Sequence, residues 1–194
     1  MPLPIEEIRK LRIEKLEKLK GLGINPYPSK FSKPFISINI ALQKMGEVVS
    51  VVGRLWSIRE HGEIIFADLK DQTGKIQLLF RTKKEIFHLL DSGDFLGLTG
   101  KIIETKSGEI TIEVESFELL SKSIRPIPDQ WYGLKDEETR YRQRYLDLLL
   151  NGELKELFRK KALFWSSMRE FLQKNAFLEV ETPVLETTAG GADA

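Results

Sequence analysis

Three side chains with complementary chemistry occur in segments that alternate between apolar and polar residues. Phe66 lies in EIIFADLKD, Gln77 in KIQLLFR, and Arg59 near the end of EVVSVVGRLWSIRE. A ring gives a stacking surface for a nucleobase, an amide offers a donor and an acceptor to a base edge, and a guanidinium pairs with a base or phosphate. Phe66 alone is equally typical of a half-buried surface aromatic, but Gln77 and Arg59 nearby favour nucleic-acid binding.

The same alternation predicts which side chains of the two central strands face outward. Small Ala67 between two aliphatic residues suits the interior of a barrel, which places Phe66 on the outside. The interior set is Ile65, Ala67 and Leu69, then Ile76, Leu78 and Phe80. The exterior set is Ile64, Phe66 and Asp68, then Lys75, Gln77, Leu79 and Arg81. We therefore expect the outer face to present Phe66 and Gln77 to a ligand.

These strands are the second and third of five that a period of two predicts between residues 47 and 121. DFLGLTGKIIE and EITIEVESFELL supply the fourth and fifth, and KKEIFHLLDSG predicts a short helix before the fourth. Five strands with a helix between the third and the fourth are typical of an OB-fold barrel, which binds single-stranded nucleic acid on its outer face. Gly53 inside the first strand predicts a bulge or a coil at that point.

An amphipathic helix over residues 5–22 is predicted before the barrel. Its apolar stripe is Ile5, Ile8, Leu11, Leu16, Leu19 and Leu22. Lysine, arginine and glutamate fill the remaining surface, and glycine and proline residues after it end the helix. Two interpretations remain open: a helix docked on the barrel with a solvated charged face, or a basic helix close to RNA phosphates.

The part after the barrel has a helical pattern. Prolines stiffen a linker that includes SIRPIPDQWY, and two helical segments, KDEETRYRQRYLDLLLNG and ELKELFRKKALFWSSMREFLQKN, follow it. FLEVETPVLE predicts a strand that must accommodate Pro183, and the chain then reads TTAGGADA. The fold class is thus mainly β plus α, in four ranges: 1–45 helix and lead, 46–122 barrel, 123–135 linker, and 136–194 the start of an α/β domain.

Composition excludes several classes of site. The 194 residues contain no cysteine and only two histidines, so thiol catalysis, disulfides and a histidine-rich metal centre are excluded, and no metal ligand is predicted. The formal net charge of +1 allows a local basic patch but not a wholly basic surface. No apolar run is long enough for a membrane span, and the N-terminus has no secretory signal. We expect a cytoplasmic protein.

Two longer segments resemble a known family. GRLWSIREHGEIIFADLKDQTGKIQLLF resembles the anticodon-binding barrel of class IIb aminoacyl-tRNA synthetases, and GLKDEETRYRQRYLDLLLN followed by FLEVETPVL and GGADA resembles the bacterial type of lysyl-tRNA synthetase. The aspartate and asparagine families would show an EGA-type sequence where this chain has GGA. The resemblance covers essentially the whole chain.

The resemblance implies roles for particular residues. Phe66 would stack on an anticodon base of tRNA(Lys), and Gln77 and Arg59 would read the U-rich lysine anticodon. Members of the family often add an acidic residue from the fifth strand; this sequence departs from that pattern, with Ser116 near that place and Glu115 beside it, so a base contact from the fifth strand is left open. The helix over residues 153–175 and the strand ending at Pro183 would form motif 1, the homodimer interface of the family. Gly190 would offer backbone groups at the edge of the lysine pocket.

The resemblance also implies an activity that these residues do not complete. The family joins lysine to tRNA with ATP and Mg²⁺, using an arginine of motif 2 and another of motif 3, and neither motif occurs in the sequence. We therefore expect no catalytic residue here and no adenylate formation by the segment alone. The alternative is a stand-alone RNA-binding or interaction module. A generic single-strand binder is a third possibility, but it leaves the motif 1 pattern unexplained.

Overall fold

A computed structural model describes residues 4–62, 64–81, 85–128, 134, 136–185 and 190. The chain divides into two compact units, Met1–Ile127 and Pro128–Ala194. The four ranges drawn from the sequence remain predictions. Among the helices that the structure describes, none has the length and apolar character needed to cross a bilayer.

In its described residues the first unit contains the predicted five strands and two α-helices. The helices are α1 (Ile5–Gly21) and α2 (Ile38–Ala41), and the strands are β1 (Val48–His61), β2 (Ile64–Lys70), β3 (Lys75–Phe80), β4 (Phe95–Glu104) and β5 (Ile110–Ser121). The strands close into a barrel in the order β1-β2-β3-β5-β4. The β3–β5 pair is parallel and the other pairs are antiparallel. This confirms the OB-fold barrel.

The interior of the barrel is filled as the alternation predicts. All six residues of the predicted interior set are at most 4% exposed and belong to one apolar cluster. The exterior set differs from the prediction, because Asp68, Gln77 and Leu79 are buried at 7%, 7% and 5% exposure. Neighbouring strands and loops cover these positions, so an outward direction does not mean contact with solvent here.

Strand β1 has a different neighbour on each side along its length within the closed barrel. It pairs with β4 through Val48–Arg54 and with β2 from Arg54 onward, so the chain coils at Gly53. A Cβ at Gly53 would lie 2.8 Å from the carbonyl oxygen of Lys70, which explains the glycine. The bulge itself lies between Leu55 and Ser57, two residues beyond the predicted position.

The predicted helix before β4 is shorter than expected. It is a 3₁₀ helix over Glu85–Leu89, and residues 82–84 are outside the described part. Its Phe87 ring packs against Phe80 and Phe117, with centroid distances of 4.3 and 5.1 Å. The segment therefore packs an aromatic cluster of Phe80, Phe87 and Phe117 against the barrel core.

Helix α1 docks through Leu19 of the predicted apolar stripe and through polar groups outside that stripe. Of that stripe only Leu19 is fully buried, whereas Ile5, Leu11 and Leu22 are exposed. Arg12 is buried and donates through Nη1 to the carbonyl oxygens of Ser123 and Arg125 at 3.1 and 3.0 Å. The docked face of α1 therefore combines the buried Leu19 with hydrogen bonds from Arg12 to free carbonyl groups, and the hydrophobic pattern alone does not predict those hydrogen bonds.

A buried ionic cluster fixes the end of β5 to the loop before β4. Lys122 Nζ lies 2.5 Å from Asp91 Oδ2 and 2.8 Å from Asp94 Oδ2, and Lys15 of α1 reaches Asp91 Oδ1 at 2.7 Å. Burial raises the pKa of Asp94, although Lys122 opposes that shift. Burial acts the same way on Asp91, but the hydrogen bonds from Lys122 and Lys15 outweigh it and lower the pKa of Asp91.

The second unit is helical where it is described. It contains α3 (Glu137–Arg142), α4 (Arg144–Leu150) and α5 (Gly152–Lys174). Residues 177–185 do not form the predicted strand around Pro183. A strand needs a neighbouring strand to pair with, no described residue of this unit forms one, and proline has no N–H to donate. Helix α5 buries no residue; its exposed apolar side chains are Leu157, Phe158, Leu163, Phe164, Trp165, Met168, Phe171 and Leu172.

Candidate nucleic-acid interface

The structure brings the three predicted binding residues of the barrel together. Arg59 on β1 is the cross-strand partner of Phe66 on β2, and Gln77 lies on the adjacent strand β3. All three line an open pocket of about 210 Å³, hereafter the base pocket, whose other walls are His61, Thr105 and Ser107. The pocket lies on the outer face of β1–β3, next to the β4–β5 loop.

Phe66 offers part of its ring to this pocket. It is half-buried, and the exposed His61 packs edge-on against it with ring centroids 6.1 Å apart at an angle of 71°. In an edge-to-face pair the edge of one ring meets the face of the other, so His61 contacts at most one of the two faces of the Phe66 ring. A base is therefore able to stack on Phe66 without displacing a core contact.

Gln77 differs from the freely exposed amide that the sequence predicts. Its Nε2 donates to Glu109 Oε2 at 2.7 Å, and its Oε1 accepts from the Thr111 hydroxyl at 2.9 Å. The parallel β3–β5 pairing, which sets Gln77 opposite Thr111, brings these groups together. An amide has two donor hydrogens and two acceptor lone pairs, so one of each remains for a ligand.

Arg59 is held loosely beside the pocket. Its side chain is 52% exposed, and Nη2 lies 3.7 Å from Asp68 Oδ1. The same Asp68 oxygen lies 3.7 Å from Lys75 Nζ, while the other accepts from the Ser57 hydroxyl at 2.7 Å. An ion pair this long and exposed is worth little, so Arg59 can turn to a ligand at small cost.

Glu109 does not line the base pocket, but it bonds to Gln77, and the sequence reasoning missed this supporting contact. The sequence leaves a contact from β5 open at Ser116 or Glu115, and neither of these residues lines the base pocket. Ser116 is opposite Thr99 of β4 and accepts from Lys33 at 3.0 Å, whereas Glu109 directly precedes β5 and contacts Gln77. The available signal was the TKSG turn, which ends immediately before Glu109.

The remaining predicted site residues lie in the second unit. Pro183 and Gly190 are exposed, and a Cβ at Gly190 would meet no atom within 4 Å. Gly191 and Ala192, the next two residues of the sequence, lie outside the described residues. Within the described residues no group of three histidine, aspartate or glutamate side chains could hold a metal ion. The roles of Pro183 and Gly190 remain predictions.

Comparison with known proteins agrees with this geometry in both units. Residues 49–120 match a family model described as an OB-fold nucleic acid binding domain, and residues 136–194 match class II tRNA synthetases of the D, K and N group. All six residues that line the base pocket, on strands β1–β3 and in the β4–β5 loop, lie within the first of these ranges.

Curated relatives extend the match along the whole chain. A lysine–tRNA ligase of Thermoanaerobacter sp. (strain X514) is 45% identical over 98% of this chain and 40% of its own length. One from Syntrophomonas wolfei is 44% identical over 99% and 41%, and lysine–tRNA ligase 2 of Methanosarcina mazei is 47% identical over 93% and 38%. The chain thus spans about two-fifths of the relatives it matches. It belongs to the class II lysyl-tRNA synthetase family and corresponds to its N-terminal segment, an OB-fold anticodon domain followed by the start of the class II catalytic domain.

Proposed function

We propose that this chain is the tRNA-binding part of a lysine–tRNA ligase, and that its barrel binds the anticodon of tRNA(Lys) in the cytoplasm. The observation that carries the proposal is the convergence of Arg59, Phe66 and Gln77 on one open pocket. A ring, an amide and a guanidinium are the groups that single-stranded RNA recognition uses.

Binding would proceed by stacking and edge recognition. A base entering the pocket stacks on Phe66, and its edge meets the free donor and acceptor of Gln77. Uracil presents a carbonyl acceptor beside an N–H donor, which complements one amide. Glu109 acts as a positioning residue, because it holds the Gln77 amide in one orientation. Arg59 then leaves Asp68 for the base or its phosphate.

The ligase reaction would be completed by residues other than those of the barrel. In the proposal the whole enzyme uses ATP and Mg²⁺ to activate lysine, Gly190 borders the lysine pocket, and Pro183 belongs to the motif 1 homodimer interface. The segment by itself is then inactive. Lysine-dependent ATP–pyrophosphate exchange by the purified 194-residue chain would contradict that statement.

A stand-alone RNA-binding module is the alternative. The match of residues 136–194 to class II synthetases supports the ligase, because a barrel that acts alone has no use for the start of a catalytic domain. A generic single-strand binder is separated from both by its lack of preference among anticodon sequences.

Anticodon reading is tested with two RNA stem-loops. One carries the U-rich lysine anticodon, the other carries three changed bases on the same stem, and both are measured at two salt concentrations because salt weakens phosphate contacts but not base reading. Phe66→Ala should weaken binding of the lysine loop by about 1–3 kcal/mol, or about 5- to 150-fold. Phe35→Ala is the control, since Phe35 is 59% exposed and outside the base pocket. Equal binding of both loops by the unaltered chain would overturn the proposal.

A further inference from the structure

A second group of cationic side chains lies on the same outer face as the base pocket. Lys70 at the end of β2 is the cross-strand partner of Arg54 on β1 and of Lys75 on β3. We call these three residues the cationic patch. Lys70 is four residues beyond Phe66 and therefore on the same face, about 13 Å farther along the strand.

The cationic patch has more positive charge than its surroundings neutralise. Lys70 and Lys75 are directly opposite each other, an arrangement that destabilises a sheet when the charges are alike. Among the described residues Lys70 forms no ion pair, and Asp68 of the same strand lies 3.7 Å from both Lys75 Nζ and Arg59 Nη2. One carboxylate thus serves several cations. Burial and then the nearby Lys75 lower the pKa of Lys70, and Asp68 only partly offsets this.

Two of the three cations of the patch lie over aromatic rings. Lys70 Nζ lies 3.9 Å from the centre of the Trp56 ring, which is 9% exposed and therefore fixed in place. The Arg54 guanidinium lies 4.4 Å from the centre of the Phe95 ring. A cation over a ring keeps its charge and its outward N–H groups available. Such prepositioned, uncompensated donors are suited to an anion with several oxygens, namely a phosphate.

We propose that the cationic patch binds the sugar–phosphate backbone of the RNA strand whose bases enter the base pocket. The inference rests on the RNA-binding function proposed above. Its consequence is a division of labour along one face, with base selection at Phe66 and Gln77 and sequence-independent affinity at Lys70 and Lys75. Contacts to phosphates fix register and orientation but carry no sequence information.

The salt dependence of RNA binding tests the patch. The logarithm of the association constant falls linearly with the logarithm of the salt concentration, and each lost phosphate contact to a single strand makes this slope less steep by about 0.7. That change corresponds to about fivefold weaker binding at 0.1 M salt. We expect this from Lys70→Ala and from Lys75→Ala, equally for the lysine loop and for the loop with changed bases. Lys101→Ala is the matched control, an exposed lysine of β4 outside the patch. Lys70→Arg should retain the slope.

A neutral backbone linkage locates the contact. Single methylphosphonate linkages are placed in turn beside the anticodon bases of the lysine loop. At the contacted linkage, the loss from the neutral linkage and the loss from Lys70→Ala or Lys75→Ala should be non-additive, because both remove the same interaction. At the other linkages the two losses should add.

The outcomes separate this inference from the anticodon proposal. If both alanine variants keep the affinity and salt slope of the unaltered chain, the patch does not bind phosphate, whatever Phe66→Ala does. If they lower the slope while neither loop is preferred, the phosphate site stands and anticodon reading fails. Circular dichroism of each variant tests whether the barrel is folded. If an alanine variant is unfolded, the Lys70→Arg variant is compared with the unaltered chain in its place.

Discussion

The ammonium of Lys122 is fully buried between two aspartates, so replacing this residue with methionine tests what holds α1 and the end of β5 to the barrel. Methionine has a similar length but no charge, and the change leaves Asp94, which is also fully buried, without its cation. Breaking a buried pair from one side costs about 3–5 kcal/mol.

The expected loss lies near the lower end of that range. Asp94 Oδ1 keeps the N–H of Ser123 at 2.8 Å, and Asp94 Oδ2 keeps the N–H of Asp91 at 2.8 Å. Asp91 in turn keeps Lys15 at 2.7 Å. We therefore expect Lys122→Met to lower the free energy of unfolding by about 3 kcal/mol at pH 7, a large share of the ~5–15 kcal/mol typical of domains.

The loss should depend on pH in a defined direction. Burial already raises the pKa of Asp94, and removal of Lys122 takes away an opposing influence, so the pKa rises further in the variant. As pH falls, a carboxyl group whose pKa is raised in the folded protein binds its proton at a higher pH than the same group in the unfolded chain. Stability of the variant therefore recovers as pH falls from the raised pKa toward the ordinary value, and the deficit should be smaller at pH 5 than at pH 7.

Urea unfolding followed by Trp56 fluorescence measures this free energy in the barrel. Trp131→Phe and Trp165→Phe form the background, because Trp56 is then the single tryptophan. Lys44→Met is the control: its pair with Glu47 is exposed at 2.7 Å, and its loss should cost no more than about 0.5 kcal/mol. The reasoning is refuted if Lys122→Met costs no more than Lys44→Met, or if its deficit grows toward pH 5.

Two further changes test local features of the fold. Partial burial opposes ionisation of Asp71, but hydrogen bonds from its own turn and from the first residue of α2 outweigh burial and lower the pKa of Asp71. Ionised Asp71 therefore stabilises the barrel at pH values above the ordinary Asp pKa, and this stabilisation is lost as pH falls through the lowered pKa. Asp71→Asn should cost about 0.5–2 kcal/mol at pH 7 and less at pH 3 by urea unfolding, whereas Asp136→Asn, in the second unit, should leave barrel unfolding unchanged. Gly100→Ala should destabilise the barrel by about 1–3 kcal/mol in the same assay, because its Cβ would clash with the carbonyl oxygen of Glu113. Gly152→Ala, whose Cβ would meet no atom within 4 Å, should not. Equal midpoints for the two alanine variants would contradict the close approach.

Local pattern was enough to predict the strands and their interior faces. A period of two depends only on neighbouring residues, so Ile65, Leu69 and Ile76 were correctly placed in the core. The docking of α1 depends on carbonyl groups of Ser123 and Arg125, more than 100 positions away, and no helical stripe encodes that. The strand at Pro183 was wrong for a related reason: strand pairing is supplied by partners, and the described part of its unit has none.

The base pocket shows the same division within one site. Cross-strand pairing of consecutive strands predicts that Arg59 and Phe66 are adjacent, but the neighbours of Gln77 depend on the parallel β3–β5 pairing, which joins strands that are not consecutive. That pairing is set by closure of the barrel, so the contacts of Gln77 with Glu109 and Thr111 were beyond a reading of the sequence.

The bonded state of Gln77 strengthens its assignment as a reader of bases. A carboxylate only accepts hydrogen bonds, so Glu109 forces the Nε2 end of the amide toward itself and the Oε1 end toward Thr111. A free glutamine would present either end to a base and lose side-chain entropy on binding, whereas this one is already ordered with one donor and one acceptor left. The amide cannot flip without placing an oxygen against a carboxylate. Under the proposed function, its donor and acceptor would therefore meet an incoming base in a single order, and a base with the reverse order would be rejected.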